Sequence, residues 1–278
     1  MQYQIIYTEC LKPILIAVWN NQMNKLIQTF EQNSLCADVL LDTYGVDSHE
    51  YFDMVFVAPS WSIDKVFNSD TIKIEHILQT RFSDAFRIFY NNKKYLFIQL
   101  QIGAANMIDF CLSCHKMQTK DFVFIGSCGA LVPAINIGDI VIPNCVISGN
   151  SATLYLHEKL DPANMFETIH SSPELNDKVL KAFNSNKLHA IDETAVSMDS
   201  ITAEYIHLDE FRNMGAKVIE MEAATFLASM KSIDKNAVAV LLVSDNSSTG
   251  QHLVGSTDKD KVSYHNIRNQ IQNVLLKL

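Results

Sequence analysis

Apolar residues in this chain follow two rhythms. Apolar strand-like runs at residues 54–58, 95–101, 122–125, 139–142, 217–219 and 237–243 predict strands. Several lack polar alternation, the pattern of strands covered on both faces. Helical spacing marks residues 104–117, 173–184, 203–214, 222–231 and 261–278, and in the last of these Ile267, Ile271, Val274, Leu275 and Leu278 keep one face. Strands alternating with helices predict an α/β fold, a three-layer α/β/α sandwich around a mixed central sheet. Residues 1–50 read poorly and form an N-terminal extension of unassigned structure, with residues 13–19 suited to either a strand or a short helix. The domain proper spans residues 51–278. Within it, the polar stretch 148–173 is expected to pass over the site.

Composition narrows the function. The 278 residues are 48% hydrophobic and 19% charged, enough for a sizeable core. A net charge of −9 with four arginines (Arg81, Arg87, Arg212, Arg268) argues against a nucleic-acid groove, which needs clustered cations. A small-molecule ligand fits better. The start Met1-Gln2-Tyr3-Gln4 lacks the basic region of a signal peptide, and no apolar run approaches the roughly 18 residues that span a bilayer. These features predict a cytoplasmic protein without membrane association, its six cysteines reduced. Cys111-Leu112-Ser113-Cys114-His115 matches the spacing of haem attachment, but Ile108, Cys111, Leu112 and His115 sit at helical intervals and no second cysteine pair accompanies them. Buried thiols in a core helix are the expected outcome. No histidine or cysteine stands at ligand spacing in a polar setting, so neither a metal nor an organic cofactor is expected.

Three short motifs follow the apolar runs: Gly126-Ser127-Cys128-Gly129, Glu220-Met221-Glu222 and Ser244-Asp245. In a parallel or mixed sheet they would bring a tight anion-capable turn, two carboxylates and one isolated acid to the same end. That combination suits cleavage of a bond between a sugar and a base. Taken with Ile137-Gly-Asp-Ile-Val-Ile-Pro143, the segments Phe122-Val-Phe-Ile-Gly-Ser-Cys-Gly-Ala-Leu131, Val218-Ile-Glu-Met-Glu-Ala-Ala224 and Leu242-Val-Ser-Asp245 resemble the nucleoside phosphorylase and nucleosidase superfamily in order and spacing.

The resemblance implies roles that chemistry supports. A carboxylate accepts both protons of a ribose cis-diol and supports positive charge at the anomeric carbon, which suits Glu222. Met221 would lie against the sugar, while Glu220 points to the other side with a structural part. Without the other motifs, Glu-Met-Glu would equally suit a strand end capping a helix. A purine leaves readily only when its N7 is protonated or hydrogen-bonded, and Asp245 resembles the family's acid for that step. Its place at the mouth of the sheet would help it hold a proton; an N-cap after a strand is the plain alternative. Asn246 is a candidate for base recognition. Residues 195–200, including Met198, resemble the segment that covers the base, with Met198 and Ile201 where an aromatic often stacks. Gly103-Ala104-Ala105 matches a small-residue turn that brings a helix start close to the ligand.

The anion site departs from the phosphorylase pattern. Holding a phosphate dianion takes several charge-assisted donors, each contributing on the order of 1.5–3 kcal/mol. Where the resembled phosphorylases carry arginines, this sequence has Phe124 and the stretch Pro59-Ser-Trp-Ser-Ile-Asp64. Ser127 in the Gly126 turn survives, and Arg81 falls at a third arginine, one that the family contributes across a subunit interface; an ordinary surface arginine is the alternative. Water is then the favoured nucleophile, with Asp64 the candidate general base or else a solvated helix-start aspartate. Hydrolysis of a purine nucleoside is the leading expectation. Phosphorolysis at a rearranged phosphate site and non-catalytic nucleoside binding are the alternatives. A homo-oligomer, dimer or hexamer, is implied by the resemblance.

Overall fold

The computed structural model describes residues 25–35, 37–251 and 257–278; the ambiguous stretch 13–19 lies outside them. The chain divides into two compact units, 1–37 and 38–278. In the first, helix α1 (Lys25–Asn33) carries side-chain bonds from Thr29 Oγ1 to the Lys25 carbonyl and from Asn33 Nδ2 to the Thr29 carbonyl, both 2.8 Å. The second unit begins at residue 38 rather than near 51. Helix α2 (Val39–Tyr44) sets the Tyr44 ring edge-on to Phe110 at 5.2 Å, Thr119 Oγ1 bonds both main-chain polar groups of Phe52, and the Arg87 guanidinium grips Glu50 through two 2.8 Å bonds. Residues 38–50 are therefore part of the main unit.

Strand β1 (Met54–Pro59) is buried along its whole length, and the short helix α3 (Ile63–Val66) follows it. An antiparallel meander comes next: β2 (Lys73–Gln79), β3 (Ser83–Tyr90) and β4 (Lys93–Leu100). The hairpin between β3 and β4 turns on Asn91 and Asn92 at φ 49° and 62°, the left-handed pair that a two-residue turn of this twist requires and that asparagine tolerates. Helix α4 (Ala104–Ser113) leads to β5 (Asp121–Ala130), after which come β6 (Ile140–Val141), β7 (Cys145–Ser148), β8 (Thr168–His170), α5 (Pro173–Ser185), β9 (Ala190–Ile191) and β10 (Ala195–Ser197). Helix α6 (Leu208–Asn213), β11 (Val218–Glu220), α7 (Ala223–Ser232), β12 (Asn236–Asn246) and α8 (Asp258–Leu275) complete the chain.

The strands form one mixed sheet in the order β2-β3-β4-β1-β5-β11-β10-β7-β8, with β12 pairing β5 and β6, and β6 pairing β9. Alternate residues of the central strands face opposite layers, as the pleat dictates. Val238, Val240 and Leu242 of β12 join a core with Val66 of α3, Val179 and Phe183 of α5, and Ile271 and Val274 of α8. On the other face Phe124 of β5 meets Phe226 of α7 at 5.7 Å, and α4 packs on α7. This is the expected three-layer sandwich. Cys111 and Cys114 are fully buried and burial pushes both thiols up, as a structural role requires.

Two expectations change. The stretch 148–173 does not cross the site. Ala152 and Leu156 instead pack on Ala104, Ile108 and Leu112 of α4. The reason is polar as well as apolar: Asn150 Nδ2 bonds Asp199 Oδ1 at 2.9 Å and the Met221 carbonyl at 3.0 Å, which ties the segment behind the Glu-Met-Glu motif. Nor is Gly126-Ser127-Cys128-Gly129 a turn. It continues β5, and its register with β12 runs unbroken from Asp121 to Cys128.

Candidate active site

Strand β5 changes partners along its free edge. Its register with β1 ends at Phe124, opposite Val57, and its register with β11 begins at Gly129, opposite Ile219. Between them residues 125–128 have β12 on one side and, among the described residues, no strand on the other. A cavity of ≈ 380 Å³ opens at this gap, and Gly126, Ser127 and Cys128 line it. Glycine is needed at two points there. A Cβ on Gly126 would come within 2.8 Å of the Phe124 ring, and one on Gly129 would come within 3.0 Å of Asp245 Oδ2.

The Glu-Met-Glu motif forms one wall of the cavity. Glu220 is its anchor: Oε2 accepts the amides of Glu222 (2.8 Å) and Ala223 (2.7 Å), while Oε1 accepts the Ser197 hydroxyl. These amides open α7, so the carboxylate satisfies donors that a helix start leaves unpaired. Burial raises Glu220 against the lowering effect of those bonds. Fixed in this way, Met221 and Glu222 turn to the cavity. Glu222 is 5% exposed, and Oε1 accepts the Gly103 amide at 2.7 Å. Gly103, at φ 125°, just precedes α4; it holds Glu222 and does not itself line the cavity. Burial first, then the charge of neighbouring Glu220, pushes Glu222 up to about 8.

Asp245 lines the cavity from the end of β12, where a register shift between Val243 and Asp245 re-aims the strand. Its Oδ1 accepts the Ser244 hydroxyl at 2.7 Å. A second acid stands with it. Glu204, on a 3-10 turn over Ala203–His207, is 9% exposed and lines the cavity; burial and then the charge of Asp245 push it up to about 7. Ile201 and Tyr205 from the same segment line the cavity as well.

Helix α8 closes the remaining side with Asp260, Lys261, Tyr264 and His265. The Tyr264 hydroxyl lies 2.6 Å from Ser127 Oγ, which also accepts Trp61 Nε1–H at 3.1 Å. Arg268 stands behind this group, its guanidinium 6.0 Å from the Trp61 ring and 5.7 Å from that of Tyr264.

The structure thus brings Gly126, Ser127, Glu220, Met221, Glu222 and Asp245 together around one cavity, with Gly103 supporting from behind. Four residues fall elsewhere. Asp64 is exposed on the first turn of α3, outside the cavity lining. Arg81 is exposed between β2 and β3, stacked over the Phe82 ring at 4.5 Å. Met198 packs with Leu131, Val196, Phe211 and Ile219 rather than in the cavity. Asn246 has no capacity left for a base: its amide donates to the Val132 and Ile135 carbonyls and its oxygen accepts the amide and hydroxyl of Ser248. It is a buried loop anchor. Among the described residues no group of three His, Cys, Asp or Glu is arranged to hold a metal ion, and no described helix is long and apolar enough to cross a membrane.

Sequence reasoning missed Glu204, Tyr205, Lys261, Tyr264 and His265. Glu204 falls in an amphipathic-looking segment where an acid reads as solvent-facing. Tyr264 shares the α8 face of Ile267 and Ile271 and reads as core, although its hydroxyl reaches Ser127.

A mixed sheet between helix layers, with a carboxylate-walled cavity where its strands change partners, defines the class: an α/β enzyme fold of the kind that processes nucleosides. The family model of the phosphorylase superfamily matches residues 61–278, and the chain belongs to that superfamily. Among solved structures, it is similar to purine nucleoside phosphorylase from Toxoplasma gondii in complex with immucillin-H, with a TM-score of 0.69 and 16% identity over 84% of this chain and 92% of that one.

Proposed function

We propose that this protein cleaves the N-glycosidic bond of a purine nucleoside, with water as the acceptor. The observation that carries the reading is the pair Glu222 and Asp245 lining one cavity. Glu222, held by the Gly103 amide, binds the ribose hydroxyls and supports the positive charge that builds at the anomeric carbon. Asp245 gives a proton to N7 of the departing base. The choice of water rests on electrostatics. Glu204, Glu220, Glu222, Asp245 and Asp260 line the cavity beside Lys261, with no arginine among its described lining residues, and the Ser127 hydroxyl is already shared between Trp61 and Tyr264. A phosphate dianion meets few donors there.

Phosphorolysis is the second reading. It is favoured by the name of the Toxoplasma gondii protein and by Lys261 and His265 on the α8 wall. Incubation of a purine nucleoside with and without phosphate separates the two: free ribose in phosphate-free buffer supports hydrolysis, whereas ribose 1-phosphate formed only with phosphate supports phosphorolysis. The reading extends to a homo-oligomer in which Arg81 reaches a partner subunit's site. Size-exclusion chromatography with light scattering tests it, and a monomer that retains full activity rules it out.

A further inference from the structure

Glu204 is the cavity group that neither the Glu-Met-Glu motif nor the Asp245 strand end explains. It is more than nine-tenths buried, it faces the cavity, and no side-chain or main-chain donor among the described residues satisfies its carboxylate. Its carboxyl group opens on the cavity, where a donor arriving with a ligand can pair with it. The charge that acts on it is that of Asp245, in the same cavity lining.

We infer that Glu204 is a base-specificity residue, which pairs with Asp245 along one edge of the purine and selects a 6-amino base over a 6-oxo base. The inference rests on the proposed function in that Asp245 marks the N7 position. A group beside Asp245 on the same edge of the ring meets the substituent at C6. In the empty cavity Glu204 holds its proton up to about 7 beside the charged Asp245; on base binding that proton passes to Asp245, ready to move to N7, and leaves the negative charge on Glu204. A carboxylate is an acceptor only, so it takes a hydrogen bond from an exocyclic amine and sets its lone pairs against those of a 6-oxo group. A site built on such a bond discriminates strongly, because the wrong base leaves the buried carboxylate unpaired.

Among the described residues, the other charged or titratable groups lining the cavity are Glu220 and Glu222 beside Met221, Cys128 on β5, Tyr205 next to Glu204, and Asp260, Lys261, Tyr264 and His265 on α8. His207 on the same turn as Glu204 is bonded to Glu210 instead, with Nδ1 2.9 Å from Oε2.

Calorimetric titration of the intact protein with adenine and with hypoxanthine tests the inference apart from turnover, and kcat/KM for adenosine and inosine tests it during turnover. The wild type is expected to bind adenine at least tenfold more tightly than hypoxanthine. In Glu204→Gln, whose amide both donates and accepts, the ratio is expected to fall about tenfold, and in Glu204→Ala the preference is lost. Equal binding of the two bases by the wild type, a hypoxanthine preference, or no binding of either overturns the inference whatever the variants do. So does a preference that survives in both variants. A wild type that prefers adenine through Glu204 yet cleaves no nucleoside would sustain the inference and refute the proposed function.

Discussion

At the residue scale, the chemistry depends on carboxyl groups whose burial works against their charge. Removing the side chain of Glu222 should leave the fold intact, because Glu222 itself lines the cavity and water entering its place can accept from the Gly103 amide. Glu222→Ala is expected to lower kcat/KM by about 10³-fold, the scale of losing one charge-stabilising group in a dry site. Asp245→Asn keeps the shape and removes the transferable proton, for an expected loss of about 10²–10⁴-fold. Steady-state kinetics check both. Asp64→Asn, at an exposed position outside the cavity, should change kcat/KM by less than about twofold, since surface substitutions away from a site act weakly. The pH dependence of stability has a definite sign. Glu222 and Glu204 hold their protons up to about 8 and about 7 in the fold, against an ordinary 4.5. The folded state therefore binds more protons than the unfolded chain between these values. The contribution of these two groups should be full below about pH 4.5 and decline as pH rises to about 8, by a few kcal/mol at about 1.4 kcal/mol per unit. Urea denaturation at pH 5, 7 and 8.5 measures it, and Glu204→Gln should flatten part of the decline.

At the scale of elements, the site exists because β5 is longer than either of its free-edge partners. The interval between the last β1 pair at Phe124 and the first β11 pair at Gly129 is the floor of the cavity. Gly129→Ala would press a methyl group on Asp245 Oδ2, 3.0 Å away. It should cost about 1–3 kcal/mol by overpacking and lower activity together with it, a joint loss that thermal melts and kinetics on the same preparation detect. The central strands and most helices were legible in the sequence, since β1, β5 and β12 are continuous apolar runs covered on both faces. The Glu222 and Asp245 ends of the site were legible too, as polar residues directly after such runs. The rest was not, for identifiable reasons. The Gly126–Gly129 motif reads as a turn by composition, yet pairing with β12 keeps it extended. Residues 203–214 read as one helix, yet the chain begins there as a 3-10 turn that swings Glu204 inward. Asn246 looks like a base reader at a strand end, and only the loop carbonyls of Val132 and Ile135 reveal its structural role.

At the scale of the whole molecule, an acidic chain with a net charge of −9 carries acidic groups into the cavity itself, where carboxyl side chains, several of them raised by burial, outnumber the cationic Lys261. That arrangement favours a neutral nucleoside and a cationic transition state, and disfavours a dianionic co-substrate. The most direct test is chromatography of adenosine and inosine incubated with the wild type in phosphate-free buffer and in phosphate, with Glu222→Ala as control. The predicted result is free base and free ribose without phosphate, unchanged by its addition and absent in the variant. Base release that appears only with phosphate and yields ribose 1-phosphate would contradict the hydrolytic account, and no release from either nucleoside would contradict cleavage of a purine nucleoside altogether.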